Sequence, residues 1–170
     1  MKPPIRILFL CTGNSCRSII AEALANEIGQ GRLLAYSAGS FPTGKVNDNA
    51  VAVLQRHGID VGTPSSQSWN DYDGVELDMT VTVCDAAAGE SCPVWLGHTI
   101  KAHWGVPDPA HVTGSPEVIA HAFERTYEEM KRRIEALLAL PLEDMSSAEL
   151  SASMGDIQHR FAHQHEVAGQ

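Results

Sequence analysis

Cysteine is scarce in this chain: four residues of 170, at Cys11, Cys16, Cys84 and Cys92. Four thiols so unevenly spaced do not make the stapled framework of a small secreted domain. The start, MKPPIRILFLC, lacks a long apolar core with a small-residue cleavage site and reads as a first strand, not as a signal peptide. Together these features point to thiol chemistry in a reducing cytoplasm. Basic residues are also few, 12 Lys and Arg against 21 Asp and Glu, for a formal net charge of -9. Nonspecific binding to nucleic acid or to an anionic membrane needs a basic surface, so neither is expected as a partner. No apolar run approaches the ~20 residues that span a bilayer. Aromatics make up 6% of the chain, and Trp69, Trp95 and Trp104 read as core or rim packing. There is no internal repeat.

What is present is an ordinary core composition, 44% hydrophobic, in a length suited to one domain. Strand and helix patterns alternate. IRILFL (Ile5–Leu10) reads as a buried strand and SIIAEALANEI (Ser18–Ile28) as a helix. LLAYSAG (Leu33–Gly39) reads as a strand ending in a turn, and DNAVAVLQRHG (Asp48–Gly58) as a helix closed by its glycine. LDMTVTVC (Leu77–Cys84) has the β-branched content of a buried strand. KAHWGVPDPA (Lys101–Ala110) holds a last strand and a proline-rich loop. The stretch from Ser115 to Leu140 is the longest helix, with Ser115 as N-cap and Pro116 at its first position. Such alternation predicts an α/β three-layer sandwich with a central parallel, four-stranded sheet and helices on both faces. Residues 1–142 form the expected catalytic domain. From Glu143 to Gln170 the chain turns polar, which predicts a flexible or peripheral tail, marginally helical over Ser147–Phe161. His159, His163 and His165 within it have ligand-like spacing but no Cys or carboxylate cluster to complete a metal site.

In parallel sheets ligands bind beyond the carboxyl ends of the strands, where Cys11, Cys84 and the Asp108 loop all fall. The first loop, CTGNSCRS (Cys11–Ser18), is suited to holding an anion against a sulfur. Thiolate is the nucleophile, and an unperturbed Cys is mostly protonated at neutral pH. Cys11 has Arg17, a helix start and the backbone N–H groups of Thr12, Gly13, Asn14, Ser15, Cys16 and Arg17 to favour its ionised form. The same N–H groups would bind a tetrahedral oxyanion, with the Arg17 guanidinium as a fork of donors. Gly13 allows close backbone approach, Asn14 tolerates a left-handed conformation, and the Ser18 hydroxyl can donate to the Cys11 sulfur.

CTGNSCRS, followed by Ala21-Glu22 and by YSAG (Tyr36–Gly39), resembles the low-molecular-weight protein tyrosine phosphatase superfamily, and within it the arsenate reductases. The resemblance covers about residues 5–140. It implies the phosphatase-like fold, with HWGVPDPA (His103–Ala110) as the family's Asp-Pro loop and Asp108 as the general acid that protonates a leaving oxygen. Phosphotyrosine phosphatases of the family usually carry an aromatic after that Asp-Pro pair, where this chain has Ala110. The resemblance to the reductases implies a relay. Cys11 attacks arsenic, Cys84 attacks Cys11 as arsenite leaves, and Cys92 attacks Cys84, so that the final disulfide is carried outward for thioredoxin, or for glutaredoxin and glutathione, to reduce. Phosphate or sulfate would compete with arsenate. A phosphatase using only Cys11, Arg17 and Asp108 is the alternative. Neither chemistry needs a metal or organic cofactor. Cys16 is expected to pack, with a protective disulfide to Cys11 open to it under oxidation. Asn14, Glu22 and Ser37 resemble residues that brace the loop and, in some reductases, help hold potassium; Gln67 stands where those carry an Asp.

Overall fold

The computed structural model describes residues 4–62, 64–84 and 97–168, with side chains through Phe161. Cys92 and Trp95, and the side chains of His163 and His165, lie outside the described residues.

Four strands form one sheet: β1 (Ile5–Leu10), β2 (Leu33–Ala38), β3 (Met79–Thr82) and β4 (Ile100–His103). All pairs are parallel, in the order β2-β1-β3-β4. The α-helices are α1 (Arg17–Ile28), α2 (Asp48–Arg56), α3 (Pro116–Leu138) and α4 (Ser147–Ala168). β1 is buried almost throughout because it is flanked by strands on both sides and covered on both faces. Alternate residues point to opposite faces. Ile5, Ile7 and Phe9 join the larger core cluster, to which all four α-helices contribute. Leu8 and Leu10 meet a smaller cluster of Ala38, Tyr72 and Leu77, covered by the one-turn 3₁₀ helix Trp69–Tyr72.

The helix boundaries follow local chemistry. Ser115 caps α3 by accepting from Val118 N–H, and Pro116 occupies the first turn. Past the end of α2, Gly58 takes φ +72°, the left-handed conformation that glycine adopts without a Cβ penalty.

The helix expected as marginal over Ser147–Phe161 is present and packed rather than peripheral. Leu150, Met154, Ile157 and Phe161 recur every three to four residues and are buried in the larger cluster. α4 also reaches the free edge of the sheet, where Gln158 Oε1 accepts from His103 N–H at 2.8 Å. The buried Arg133 of α3 places its guanidinium over the Phe161 ring. The polar composition belongs to the exposed face of the helix and hides a narrow apolar stripe.

The sheet order has one consequence for function. β1 connects outward to β2 on one side, while β3 pairs with β1 on the other, so the strand order reverses between β1 and β3. The crevice at the carboxyl ends of those two strands is the topological switch point, where open parallel sheets bind ligands. Cys11 directly follows β1 and Cys84 lies two residues after β3.

Candidate active site

Leu10 is in register with Thr82, and Val83 N–H donates to Leu10 O at 2.9 Å, so residues 11–12 and 83–84 leave the sheet side by side. Cys11 and Cys84 are both buried. Thr12 Oγ1 lies 3.7 Å from Cys84 Sγ. The structure thus brings together two cysteines 73 positions apart in the chain.

The anion loop is held from outside. Phe41 N–H donates to Thr12 O at 3.0 Å, Thr43 N–H to Gly13 O at 3.0 Å and Asn47 N–H to Ser15 O at 2.8 Å. Ser66 Oγ adds a bond to Gly13 O. Segment 39–47 therefore acts as a strap that satisfies the outward carbonyls of the loop. A Cβ on Gly39 would overlap the carbonyl oxygens of Cys11 and Thr12, which is why YSAG must end in glycine. Neither the strap nor its role could be read from the motif alone.

At the start of α1 the N-cap position is Cys16, whose side chain makes no capping bond. The first N–H groups of a helix have no intrahelical acceptor and are donors of the kind that bind anions. Arg17 supports this. Its Nη1 donates to Val106 O at 3.0 Å and its Nη2 stands 3.5 Å from Asp108 Oδ2. Its Nε is buried and, among the described residues, has no partner. A buried guanidinium donor without an acceptor is costly unless a ligand supplies one.

Asn14 adopts φ +45°, the left-handed conformation expected of it, and is fully buried. Its role differs from direct oxyanion binding. Its N–H donates to Cys11 O, its Oδ1 accepts from Gln67 N–H at 2.6 Å and its Nδ2 donates to Ser18 Oγ at 2.9 Å. Asn14 is thus the brace that ties the loop to the next segment. Ser18 Oγ is the acceptor in the bond from Asn14 Nδ2, which leaves its O–H as a donor.

The loop that carries Asp108 follows β4. Trp104 N–H and Val106 N–H follow the end of β3 by donating to Thr82 O and Val83 O, which carries the chain back across the switch point to Asp108. Asp108 caps a single 3₁₀ turn, Pro109–His111, by accepting from Ala110 N–H at 2.9 Å. Cys16 Sγ lies 3.9 Å from Asp108 Oδ1. Cys16 is therefore more than packing: its thiol donates to the Asp108 carboxylate. Burial and the Asp108 charge push that thiol up to about 12.

Cys11 itself departs from the sequence expectation. Its thiol is pushed well above the ordinary range, first by a hydrogen bond to Cys84 and then by burial, with Arg17 the main opposing influence. The chain neighbours of Cys11 favour thiolate, but the spatial neighbour Cys84 and the dry surroundings favour the proton. In this resting arrangement Arg17 is directed to Asp108 and Val106.

Glu22, on α1, accepts from Ser37 Oγ at 2.9 Å. Burial raises its carboxyl to about 7. Tyr72 OH donates to Gln67 Oε1 at 2.7 Å. The oxygens of Asn14, Gln67 and Glu22 thus accept from protein donors and brace the loop against its neighbouring segments.

The Glu22 shift carries a stability prediction. A folded pKa above the unfolded one means stability is fully present below the ordinary carboxylate range and is lost as pH rises through about 7. Glu22→Gln removes that loss while keeping an acceptor for Ser37. It should match the wild type in denaturant unfolding near pH 4 and exceed it at pH 8 by roughly 3 kcal/mol. An equal gap at both pH values would contradict the shift.

A parallel sheet whose switch point holds a cysteine, an anion loop running into a helix, and an aspartate on the facing loop defines a phosphatase-type site built on a thiol. The chain belongs to the low molecular weight phosphotyrosine protein phosphatase family, whose model matches residues 6–151. An arsenate reductase of Bacillus subtilis (strain 168) is 38% identical over 128 residues, covering 75% of this chain and 91% of that protein. A solved arsenate reductase in a phosphate-binding state has a TM-score of 0.67 at 27% identity, covering 82% of this chain and 98% of that one. Another, in an oxidised state, has a TM-score of 0.65 at 25% identity, covering 79% and 96% respectively. Most of α4 lies beyond the end of the family match.

Proposed function

We propose that this chain reduces arsenate to arsenite with a cysteine relay. The observation that carries the reading is the placement of a second thiol, Cys84, against the nucleophile Cys11 at the switch point. Hydrolysis of a phosphoester has no use for it. Reduction needs two electrons, which one dithiol supplies on becoming a disulfide.

Arsenate binds on the loop N–H groups and Arg17, exchanging the Asp108 contact for its own oxygens. As a dianion it also brings an acceptor for the Cys11 proton. The Cys11 sulfur then bonds to arsenic while an oxygen leaves with the proton of Asp108. Cys84 attacks the Cys11 sulfur, the sulfur–arsenic bond breaks with its electron pair going to arsenic, and arsenite departs. Cys92 attacks Cys84, freeing Cys11 and leaving a Cys84–Cys92 disulfide. An external dithiol of the thioredoxin type restores the start; glutaredoxin with glutathione is the other candidate. Such thiols work in a reducing compartment, the cytoplasm. Among the described residues no helix is long and apolar enough to cross a membrane.

The alternative is phosphoester hydrolysis with Cys11, Arg17 and Asp108 alone, which the family match keeps in view. Ala110, exposed beside the acid, offers no ring to stack on an aryl substrate, which disfavours phosphotyrosine. The deciding assay follows NADPH oxidation with arsenate, thioredoxin and its reductase, beside phosphate release from an aryl phosphate. Reduction at a rate far above phosphate release supports the proposal; the reverse ratio installs the phosphatase.

Asp108→Asn keeps the shape of the loop and the bond from Ala110 but has no proton to give. Anion affinity should be retained while the chemical step slows by about 10² to 10⁴-fold. An unchanged rate in a folded variant would show that another group protonates the leaving oxygen.

A further inference from the structure

Away from the switch point, three side chains from two elements converge on one spot. His57 is the C-cap of α2, while Glu124 and Glu128 stand four residues apart on α3 and share a face of it. His57 Nε2 lies 3.0 Å from Glu124 Oε1 and 2.9 Å from Oε2. One ring nitrogen and one oxygen from each carboxylate all fall within 4.8 Å of one another. The imidazole is held in place by a neighbour. It stacks on the buried Tyr127 ring, with centroids 3.9 Å apart and planes 9° apart, which keeps its nitrogen edge toward the carboxylates.

The charges there do not balance. Arg56 Nε meets Glu124 Oε1 at 3.4 Å, and Glu128 forms no hydrogen bond or ion pair among the described residues. Carboxylates four apart on a helix repel, so one guanidinium leaves the pair undercompensated in a chain of net charge -9. The donor types decide which cation answers that charge. An imidazole nitrogen with two carboxylate oxygens suits zinc and its transition-metal neighbours, whereas magnesium and calcium take oxygens. Bonds of about 2.0–2.2 Å set neighbouring ligand atoms roughly 3.3 Å apart, a contraction that side-chain rotation supplies.

We propose that His57, Glu124 and Glu128 form a binding site for a divalent transition metal of the zinc type, with water as the fourth ligand. The imidazole binds as the neutral ring, its Nε2 lone pair turned to the ion. The ion clips the end of α2 to α3. α2 follows the strap directly and α3 follows the Asp108 turn, so the clip ties together two elements that frame the anion site. Its role is structural and does not depend on whether arsenate is the substrate.

The test uses the full reduced chain with Co²⁺, whose spectrum reports its ligands. Thiolates give an intense near-ultraviolet band, and nitrogen and oxygen ligands give only weak visible bands. Spectra are read as wild type minus Glu128→Gln, so that any ion held by cysteines cancels. The difference should show the weak bands alone, saturating at one Co²⁺ per chain and reversed by Zn²⁺. Glu128→Gln and His57→Gln should each weaken this binding at least about tenfold. Zn²⁺ should raise the Tm of the wild type in a concentration-dependent way and leave that of both variants unmoved. Glu128→Gln breaks no bond among the described residues, so without metal its Tm should equal or exceed that of the wild type. A flat difference spectrum at about 1 mM free Co²⁺, or equal Zn²⁺ stabilisation of wild type and both variants, would overturn the site.

Discussion

Cys11→Ser is expected to abolish both arsenate turnover and phosphate release, by at least about 10⁴-fold. The substitution is nearly isosteric at a buried position, so the loop, its strap and the Asn14 brace should stay as they are. What changes is the nucleophile. An alcohol ionises at far higher pH than a thiol, and this site already resists ionising the thiol through burial and the bond to Cys84. A site whose burial and Cys84 bond oppose even the thiolate has no means of making alkoxide. Binding of phosphate to the variant, read by calorimetry, should be close to that of the wild type, since Arg17 and the uncapped start of α1 remain. Turnover above about 1% of wild type in the folded variant would remove Cys11 from its role.

The elements that position Cys11 were legible because their signals are local. The β1 strand is a continuous apolar run, and the Ser115–Pro116 start of α3 is written in cap chemistry. α4 was not, because Leu150, Met154, Ile157 and Phe161 are separated by serines, a glycine and charges. Only packing against the sheet and α3 shows that the stripe suffices. The site divides in the same way. Strand, cysteine, loop, arginine and helix follow one another in the chain, so the anion site can be read directly. The contacts that decide its electrostatics come from elsewhere in the chain: Cys84 on Cys11, Cys16 and His111 on Asp108, Tyr72 on Gln67. A motif carries no information on which distant group will stand beside its nucleophile, and the influence of Cys84 on the Cys11 proton is invisible in it.

Cys84→Ser carries the second large effect, and it separates the two chemistries. Cys11 can still attack arsenic in this variant, and Asp108 can still protonate the departing oxygen. Nothing then attacks the Cys11 sulfur, so arsenite formation in the cycle should fall by at least about 10³-fold. Phenyl phosphate hydrolysis should survive. It should even gain, because the largest influence holding the proton on Cys11 is the hydrogen bond to Cys84; a hydroxyl there keeps the volume but weakens that hold. Equal loss of both activities would mean that Cys84 only packs beneath the loop.

The relay is tested most directly by a single turnover of reduced enzyme with arsenate and no external reductant. The readouts are arsenite released per enzyme and the disulfide formed, located by peptide mapping. The wild type should release one arsenite and carry a Cys84–Cys92 disulfide. Cys92→Ser should also release one arsenite but hold its disulfide between Cys11 and Cys84, the two sulfurs that the switch point sets face to face. Arsenite released without any disulfide at Cys84, or full multiple turnover with thioredoxin in Cys84→Ser, would contradict the account.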